Sequence, residues 1–236
     1  MAEPMLHVLS GGAAKALVQD ASRKVGFAVQ PVFGAVGAVG DRFAAGEACD
    51  VLILTDAIVA ELTQRGQLVA GSARPLGEVH VAVAVPAGAA LPDIGTAASL
   101  RASLLASPAV YVPDLQRSTA GSHLRRQFEA LGIADALAER LHSFANGEAA
   151  MAAMLKDGIE GAIGCTQNTE ILATPGLAMV GPLPAGLGLA TVYTAAIATR
   201  ADSPALAAAF IAAMTDADGA TQRAAHGFVA LPEHAA

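Results

Sequence analysis

The sequence has little charge, few aromatic residues and almost no cysteine, and these shortages exclude several classes of protein. Charged residues make up 15% of the 236 positions, and 14 basic against 21 acidic side chains give a net charge of −7. Such a chain offers no basic surface for nucleic acid or for an anionic membrane. Hydrophobic residues reach 54%, which excludes a disordered chain. Aromatics are only 4%, so the core must be built mainly from aliphatic side chains.

Sequence motifs for metals and nucleotides are also lacking. Cys49 and Cys165 lie far apart and belong to no metal-binding or redox motif, so we interpret both as small buried hydrophobic residues. The glycines between Gly34 and Gly40 do not follow the GxGxxG pattern, and the phosphate-loop pattern GxxxxGK followed by Ser or Thr is absent. The sequence therefore predicts neither a metal site nor a cofactor.

One uncharged stretch, residues 171–199, is long enough to span a membrane. It is interrupted by Pro175, Pro182 and Pro184 and by several glycines, which favours strand, turn and strand over a spanning helix. No basic segment followed by an apolar run precedes the first strand at Met5. We therefore expect a cytoplasmic protein, or a periplasmic one if an export leader has been removed from this sequence.

Short apolar runs alternate with glycine-rich turns and helical stretches along the chain. The clearest strand is Asp50 to Thr55, and we expect Asp56 to cap the helix that follows. This order predicts an α/β fold with parallel strands and helices on both faces. The pattern restarts after Pro86, and two longer β-rich runs lie where a chain would cross between two units. We predict one lobe from residues 1–80 plus 195–236 and an inserted lobe from 81–194.

Ligands of open α/β sheets bind beyond the carboxyl ends of the strands, against helix N-termini. The segments predicted at those ends are rich in glycine, hydroxyl groups and free backbone N–H groups, which can bind a small anion without lysine. Ordinary helix capping by the same residue types is the alternative. The candidate ligand-binding residues are Ser10, Gly11, Gly37, Ala38, Thr55, Arg117, Ser118, Thr119, Thr166 and Gln167.

His123 lies in the first turns of the predicted helix that follows Ser118 and Thr119. Next to an anion site it could donate a hydrogen bond or act as a general base, and a surface histidine is the alternative. Arg117 and Arg42 could each bind a carboxylate through two nitrogens, or could be solvated. No GxSxG motif supports a serine hydrolase.

Several segments together resemble the molybdate-binding-like branch of the type II periplasmic solute-binding proteins. The resemblance extends over nearly the whole chain and is carried by residues 9–14, 33–37, 42–47, 50–55, 118–122, 131–133, 147–149 and 164–168. The resemblance implies two Rossmann-like lobes joined by two crossing strands, with an anion in the cleft. It implies ligand contacts from Ser10 and from Gly37 or Ala38 in one lobe, and from Ser118, Thr119 and Thr166 or Gln167 in the other. Gln167 and Asn168 stand where the molybdate binders typically carry a tyrosine and an acidic residue.

Three functions remain open at this point. The resemblance implies an anion-binding component of an ABC transporter, with a permease as partner if the protein is exported. The chain is also similar to an aconitate isomerase built on the same scaffold, in which case His123 would move a proton on a small polycarboxylate held by Arg117 or Arg42. A ligand-sensing module of a regulator is the third possibility. The sequence alone does not select the ligand.

Overall fold

In the computed structural model, residues 5–231 are described, and they form two compact units. The first unit contains the described residues up to Val79 and from Thr191 onwards, and the second runs from His80 to Ala190. Residues 1–4, which precede the first strand, lie outside the described part. The chain thus passes from the first unit to the second and returns, so that the second is an insertion in the first.

The helices and strands alternate as the sequence pattern predicts. The first stretch of chain contains β1 (Met5–Gly11), α1 (Lys15–Lys24), β2 (Ala28–Gly34), α2 (Val36–Ala44), β3 (Val51–Thr55), α3 (Asp56–Gln64) and β4 (Arg74–Pro86). The inserted unit continues with α4 (Ala97–Ala106), β5 (Val110–Pro113), α5 (Thr119–Ala130), α6 (Ala134–Leu137), β6 (Leu141–Phe144), α7 (Gly147–Asp157), β7 (Ile163–Gln167), α8 (Asn168–Leu172) and β8 (Leu177–Pro182). The chain then forms β9 (Ala190–Ile197), α9 (Pro204–Thr215) and α10 (Ala217–Ala225).

The sheet of the first unit has the order β2-β1-β3-β9. Strand β1 pairs in parallel with both β2 and β3, as predicted, and Gly11 lies opposite Gly34 while Ser10 lies opposite Ile53. Strand β9, the second of the two long β-rich runs, runs antiparallel to β3, and the sequence pattern predicted no direction for it. A strand that enters without a helical crossover is free to pair in the opposite direction. The carboxyl ends of β1, β2 and β3 meet at one edge.

The sheet of the second unit has the order β8-β4-β7-β5-β6. Strand β5 pairs in parallel with β6 and β7, with Tyr111 opposite Gly164 and Pro113 opposite Phe144. Strand β4 runs antiparallel to β7 and β8. The carboxyl ends of β5, β6 and β7 therefore share an edge, from which α5, α7 and α8 begin.

The two faces of this second sheet carry different cores. Ile163 and Cys165 of β7 belong to the core that contains Ala120 and Leu124 of α5. On the opposite face Met151 of α7 packs in a second core. Side chains of β7 alternate between the α5 side and the α7 side, as the pleat of a strand requires.

The prediction that Asp56 caps α3 is wrong. Thr55 occupies the N-cap position, and Asp56 is the first residue of the helix. The Asp56 carboxylate instead accepts a hydrogen bond of 2.8 Å from the hydroxyl of Thr194. Thr194 pairs with Leu54 across the β3–β9 ladder, which brings its hydroxyl to this carboxylate.

Candidate anion-binding site

In the first unit the fold brings five predicted residues to the carboxyl edge of the sheet. Ser10 and Gly11 end β1, Thr55 ends β3, and Gly37 and Ala38 lie in the first turn of α2. Ser10 is fully buried, and its hydroxyl donates to the carbonyl of Gly11 at 3.0 Å. Gly37 is exposed, and Ala38 and Thr55 are half-buried.

The helical segments that follow β1, β2 and β3 begin without a capping side chain. Gly11, Ala35 and Thr55 occupy the three N-cap positions, and none of them accepts a hydrogen bond through its side chain. The first backbone N–H groups of a helix have no partner inside the helix and carry its positive dipole end. This edge therefore offers backbone donors that a small anion could accept.

Gly11 has a steric reason to be glycine. A Cβ atom at this position would lie 2.8 Å from Cε1 of Tyr193. Tyr193 is buried and pairs with Thr55 across the β3–β9 ladder. The tyrosine ring thus lies directly against the backbone at the end of β1, in contact with a predicted ligand-binding residue.

In the second unit a short loop leads from β5 to α5. One oxygen of the Asp114 carboxylate accepts the backbone N–H groups of Gln116 at 2.8 Å and Arg117 at 2.9 Å. These hydrogen bonds lower the pKa of Asp114. Ser118 then caps α5 by accepting the N–H of Gly121 at 3.3 Å. Arg117 is exposed, whereas Ser118 and Thr119 are half-buried.

Helix α5 packs unusually close to this loop. A Cβ atom on Gly121 would lie 2.0 Å from the carbonyl oxygen of Asp114 and 2.8 Å from that of Pro113. Both obstacles are backbone atoms, which cannot rotate away. The glycine therefore sets where the first turn of α5, with Ser118 and Thr119, lies relative to the strand end.

Thr166, near the end of β7, belongs to a buried hydrogen-bond cluster that the sequence does not reveal. Its hydroxyl donates to the Glu170 carboxylate at 2.5 Å, and the backbone N–H groups of Gln167 and Gly147 donate to the same carboxylate. Burial nevertheless raises the pKa of Glu170, because desolvation outweighs these bonds. A Cβ on Gly147 would fall 2.0 Å from an oxygen of that carboxylate.

This cluster also occupies the N-terminus of α7. Its first N–H group, on Gly147, is satisfied by a carboxylate of the protein itself. Gln167 and Asn168 stand where the resemblance implies a tyrosine and an acidic residue, and Glu170 was not among the predicted site residues. The available signal was weak: Glu170 follows Thr166 by one helical turn, but nothing local indicates that Gly147 packs against it.

Gln167, the last residue of β7, is only 3% exposed. Neither the nitrogen nor the oxygen of its amide has a hydrogen-bond partner among the described residues. An unpaired buried polar group costs about 1–3 kcal/mol. A buried amide with two unused groups, next to the predicted binding loop, is therefore the strongest ligand-recognition candidate in this unit.

Comparison with known proteins identifies the family of this chain. Residues 6–229 match the family model of bacterial extracellular solute-binding proteins. The chain belongs to this family. The solute-binding protein has the two-lobed type II fold: it aligns with the periplasmic molybdate-binding protein of Azotobacter vinelandii at a TM-score of 0.77 and 20% identity, over 97% of this chain and 100% of that one.

Two further proteins are similar to this solute-binding protein. The sulfate-binding protein of Mycobacterium tuberculosis aligns at a TM-score of 0.71 with 16% identity, over 97% of this chain and 88% of that one. An aconitate isomerase from a Pseudomonas species is 25% identical over 225 residues, which covers 91% of this chain and 84% of the isomerase. Proteins similar to this solute-binding protein thus include both binding proteins and an enzyme.

His123 of the solute-binding protein is buried, unlike the surface histidine considered as the alternative. Only 7% of it is exposed, and its Nε2 lies 2.7 Å from the carbonyl oxygen of Leu187. Because a carbonyl only accepts, Nε2 must carry the hydrogen in this contact. In the neutral ring the lone pair is then on Nδ1, which is the one ring atom that could accept a proton.

Arg42 does not present an unused guanidinium. Its Nε and one terminal nitrogen donate to the Glu47 carboxylate at 2.5 and 2.6 Å. Both side chains are substantially exposed. A ligand carboxylate at Arg42 would therefore have to compete with Glu47.

Within residues 5–231, no helix is long and apolar enough to cross a membrane. In the same part of the chain, no group of three His, Cys, Asp or Glu side chains is placed to hold a metal ion. Cys49 and Cys165 are both buried and unpaired by disulfide. Burial raises the pKa of both thiols to about 12, as expected for cysteines in a core.

Proposed function

We propose that this protein binds a small anion, either an oxyanion or a small carboxylate, as the solute-binding component of an ABC transporter. The observation that carries the proposal is the carboxyl edge of the first unit, where three helical segments begin without a capping side chain. In the second unit the donors are the first turn of α5, with Ser118 and Thr119, and the buried amide of Gln167. Family membership supports the same activity.

The partner and compartment follow from that role. We propose that the ligand-bound protein delivers its solute to a membrane permease and works in the periplasm, where solute-binding proteins of this family meet their ligands. Ser10, Gly11, Gly37, Ala38 and Thr55 would contact the anion from the first unit. Arg117, Ser118, Thr119, Thr166 and Gln167 would do so from the second.

A thermal-shift panel tests the proposed binding directly. The purified protein is melted with molybdate, tungstate, sulfate, phosphate, citrate, cis-aconitate or trans-aconitate at matched ionic strength. A ligand that binds only the folded state stabilises it by about 2.7 kcal/mol at a concentration of one hundred times Kd. We expect a saturable rise in melting temperature with at least one of these anions. Identical melting curves with every anion would contradict the proposal.

Removing the Ser118 hydroxyl separates binding from capping. We expect Ser118→Ala to lower stability by about 1 kcal/mol, because α5 loses its cap, and to weaken anion binding about tenfold through the lost donor. Thr96→Ala is the matched control, because Thr96 caps α4 of the same unit with its side chain. The control should lose similar stability and keep its affinity, as measured by isothermal titration calorimetry. Equal affinities for both variants would remove Ser118 from the site.

A second function, isomerisation of a small tricarboxylate, is favoured by one specific observation, the similarity to the Pseudomonas aconitate isomerase. We propose His123 as the base in that case, acting through Nδ1 because Nε2 is held by the carbonyl of Leu187. Proton transfer at one carbon of an allylic system and return at another requires such a group. Arg117 would hold a carboxylate of the substrate.

An absorbance assay of cis- and trans-aconitate interconversion distinguishes this enzyme from a binding protein. If the protein is an isomerase, His123→Gln should reduce turnover by about 100-fold or more, because glutamine can still donate to Leu187 but cannot act as a base. His142→Gln, which changes a half-buried histidine stacked on Tyr111, is the control and should keep the rate. No interconversion by the unchanged protein would exclude the enzyme.

A further inference from the structure

Two neighbouring polar residues at the end of strand β7 differ in whether their side chains have a hydrogen-bond partner. The hydroxyl of Thr166 is satisfied by Glu170. The amide of Gln167, which is 3% exposed, has no partner for its nitrogen or its oxygen among the described residues. Nearly all buried polar side chains are paired, and Gln167 leaves both a donor and an acceptor without a partner. A ligand with one group of each kind would satisfy both.

The direction of the Gln167 side chain follows from the pleat of the strand. Gln167 has the same parity as Ile163 and Cys165, which lie in the core shared with Ala120 and Leu124 of α5. Its partner across the β4–β7 ladder, Val81, belongs to that core as well. Gln167 therefore extends to the α5 side of the sheet, while Glu170 and Thr166 lie on the α7 side.

The position of Gln167 along β7 places its amide level with the start of α5. Tyr111 of β5 pairs with Gly164 of β7, so Pro113 is level with Thr166. Helix α5 begins a few residues beyond Pro113, capped by Ser118, and it packs against β7. The Gln167 amide and the N-terminal turn of α5 thus lie on one face of the sheet at the same edge.

The chemistry of a carboxamide decides what this pair can recognise. Its nitrogen donates and its oxygen accepts, whichever way the group is oriented. Fully deprotonated oxyanions such as sulfate and molybdate have acceptors only, so they would leave the amide oxygen buried and unpaired. An anion that also carries an O–H group would satisfy the amide nitrogen, the amide oxygen and the N–H groups of α5.

We propose that Gln167 is the specificity-determining residue of the second unit, and that it selects an anion bearing its own hydroxyl donor, a hydroxycarboxylate or a hydrogen phosphate, over one with acceptors alone. This inference rests on the proposed anion-binding function and narrows its ligand class. Backbone N–H and hydroxyl groups would donate hydrogen bonds to the charged oxygens of the ligand. The amide oxygen of Gln167 would accept a hydrogen bond from the ligand's hydroxyl group.

Two pairs of ligands test the selectivity, and in each pair only one member carries an O–H group. Citrate is compared with tricarballylate, which has hydrogen in place of the hydroxyl, and phosphate at pH 6 with sulfate, all by isothermal titration calorimetry. In one of the two pairs we expect the member with the hydroxyl group to bind at least tenfold more tightly. That pair shows whether the ligand is a hydroxycarboxylate or a hydrogen phosphate. Tighter binding of sulfate or tricarballylate, with anion binding itself intact, overturns the selectivity and leaves the proposed function standing.

Two variants test the residue. Gln167→Met removes both amide groups at similar volume, and we expect a higher melting temperature without ligand, at least a 30-fold loss of affinity, and no remaining preference between the paired anions. Thr169→Val is the matched control, because the Thr169 hydroxyl is also buried and unpaired. It should be stabilised without a change in affinity.

The results separate the two proposals. Unchanged affinity and preference in Gln167→Met overturn the role of Gln167 even if anions bind. No binding of citrate, tricarballylate, phosphate or sulfate by the unchanged protein at concentrations up to about 10 mM, which means a binding free energy weaker than about 3 kcal/mol, overturns this inference. The proposed function is overturned as well only if molybdate, tungstate and both aconitates also fail to bind.

Discussion

Gly121→Ala is expected to destabilise the second unit by about 3 kcal/mol or more and to abolish anion binding. The added methyl group would lie 2.0 Å from the carbonyl oxygen of Asp114 and 2.6 Å from its carbonyl carbon. Overpacking a core with a methyl group costs about 1–3 kcal/mol, and here the obstacle is backbone, so α5 or the loop before it must move. Any such movement displaces the cap at Ser118 and the first turn of α5.

Urea denaturation and calorimetric titration measure the two effects separately. The control is Gly40→Ala, since Gly40 is in the middle of α2 and a Cβ there would meet nothing within 4 Å. That variant should be neutral or more stable by about 0.5–1 kcal/mol, because alanine favours a helix over glycine. If Gly121→Ala is as stable as Gly40→Ala, then α5 is not held against the loop as described.

The second large effect concerns pH and Glu170. Burial raises the pKa of this carboxyl above its ordinary value of 4.5, against the opposing influence of three hydrogen bonds. The folded protein therefore binds the proton more tightly than the unfolded chain does. The stabilisation from the protonated group is complete below about pH 4.5 and is lost as pH rises through the raised pKa.

Glu170→Gln removes this titration and keeps the shape of the side chain. We expect the wild-type protein to lose stability relative to the variant as pH increases above 4.5. The variant also carries a pH-independent cost of about 1–3 kcal/mol, because an amide nitrogen must face a donor from Thr166, Gln167 or Gly147. The melting temperatures of both proteins are measured from pH 4.5 to 8. The difference between the two at each pH isolates Glu170, because all other titrating groups contribute equally to both proteins. A difference that favours the wild type more strongly at higher pH would contradict the raised pKa of Glu170.

Much of the fold follows from local sequence pattern. The run from Val51 to Leu54 is entirely apolar and forms β3, buried to 0% exposure at all four positions. Alternation of such runs with helical stretches predicts parallel strands, and β1, β2 and β3 confirm it. The antiparallel β9 could not be foreseen in the same way, because pairing direction depends on how a strand arrives and not on its composition.

In the candidate site too, features that depend on neighbouring residues could be predicted from the sequence, and features that depend on distant residues could not. Ser118, predicted to lie at a helix start, is the N-cap of α5, because capping depends on residues within one turn. Glu170 was missed because its partner Gly147 is distant in sequence. The burial of His123 likewise depends on Leu187, which lies 64 residues further along the chain. The assignment of the ligand-binding residues stays a prediction.

The most direct test of the account is a map of backbone amides during anion titration. A 23.5 kDa chain is suited to two-dimensional ¹⁵N–¹H spectra, and citrate, phosphate, sulfate and molybdate would be added in turn. We predict saturable shifts of the amides of Gly11, Gly37 and Ala38 in the first unit and of Thr119 and Gly121 in the second. Shifts confined to the opposite edge of the second sheet, where Ser107, Gly161 and Ile163 line a cavity of about 470 Å³, would contradict the account.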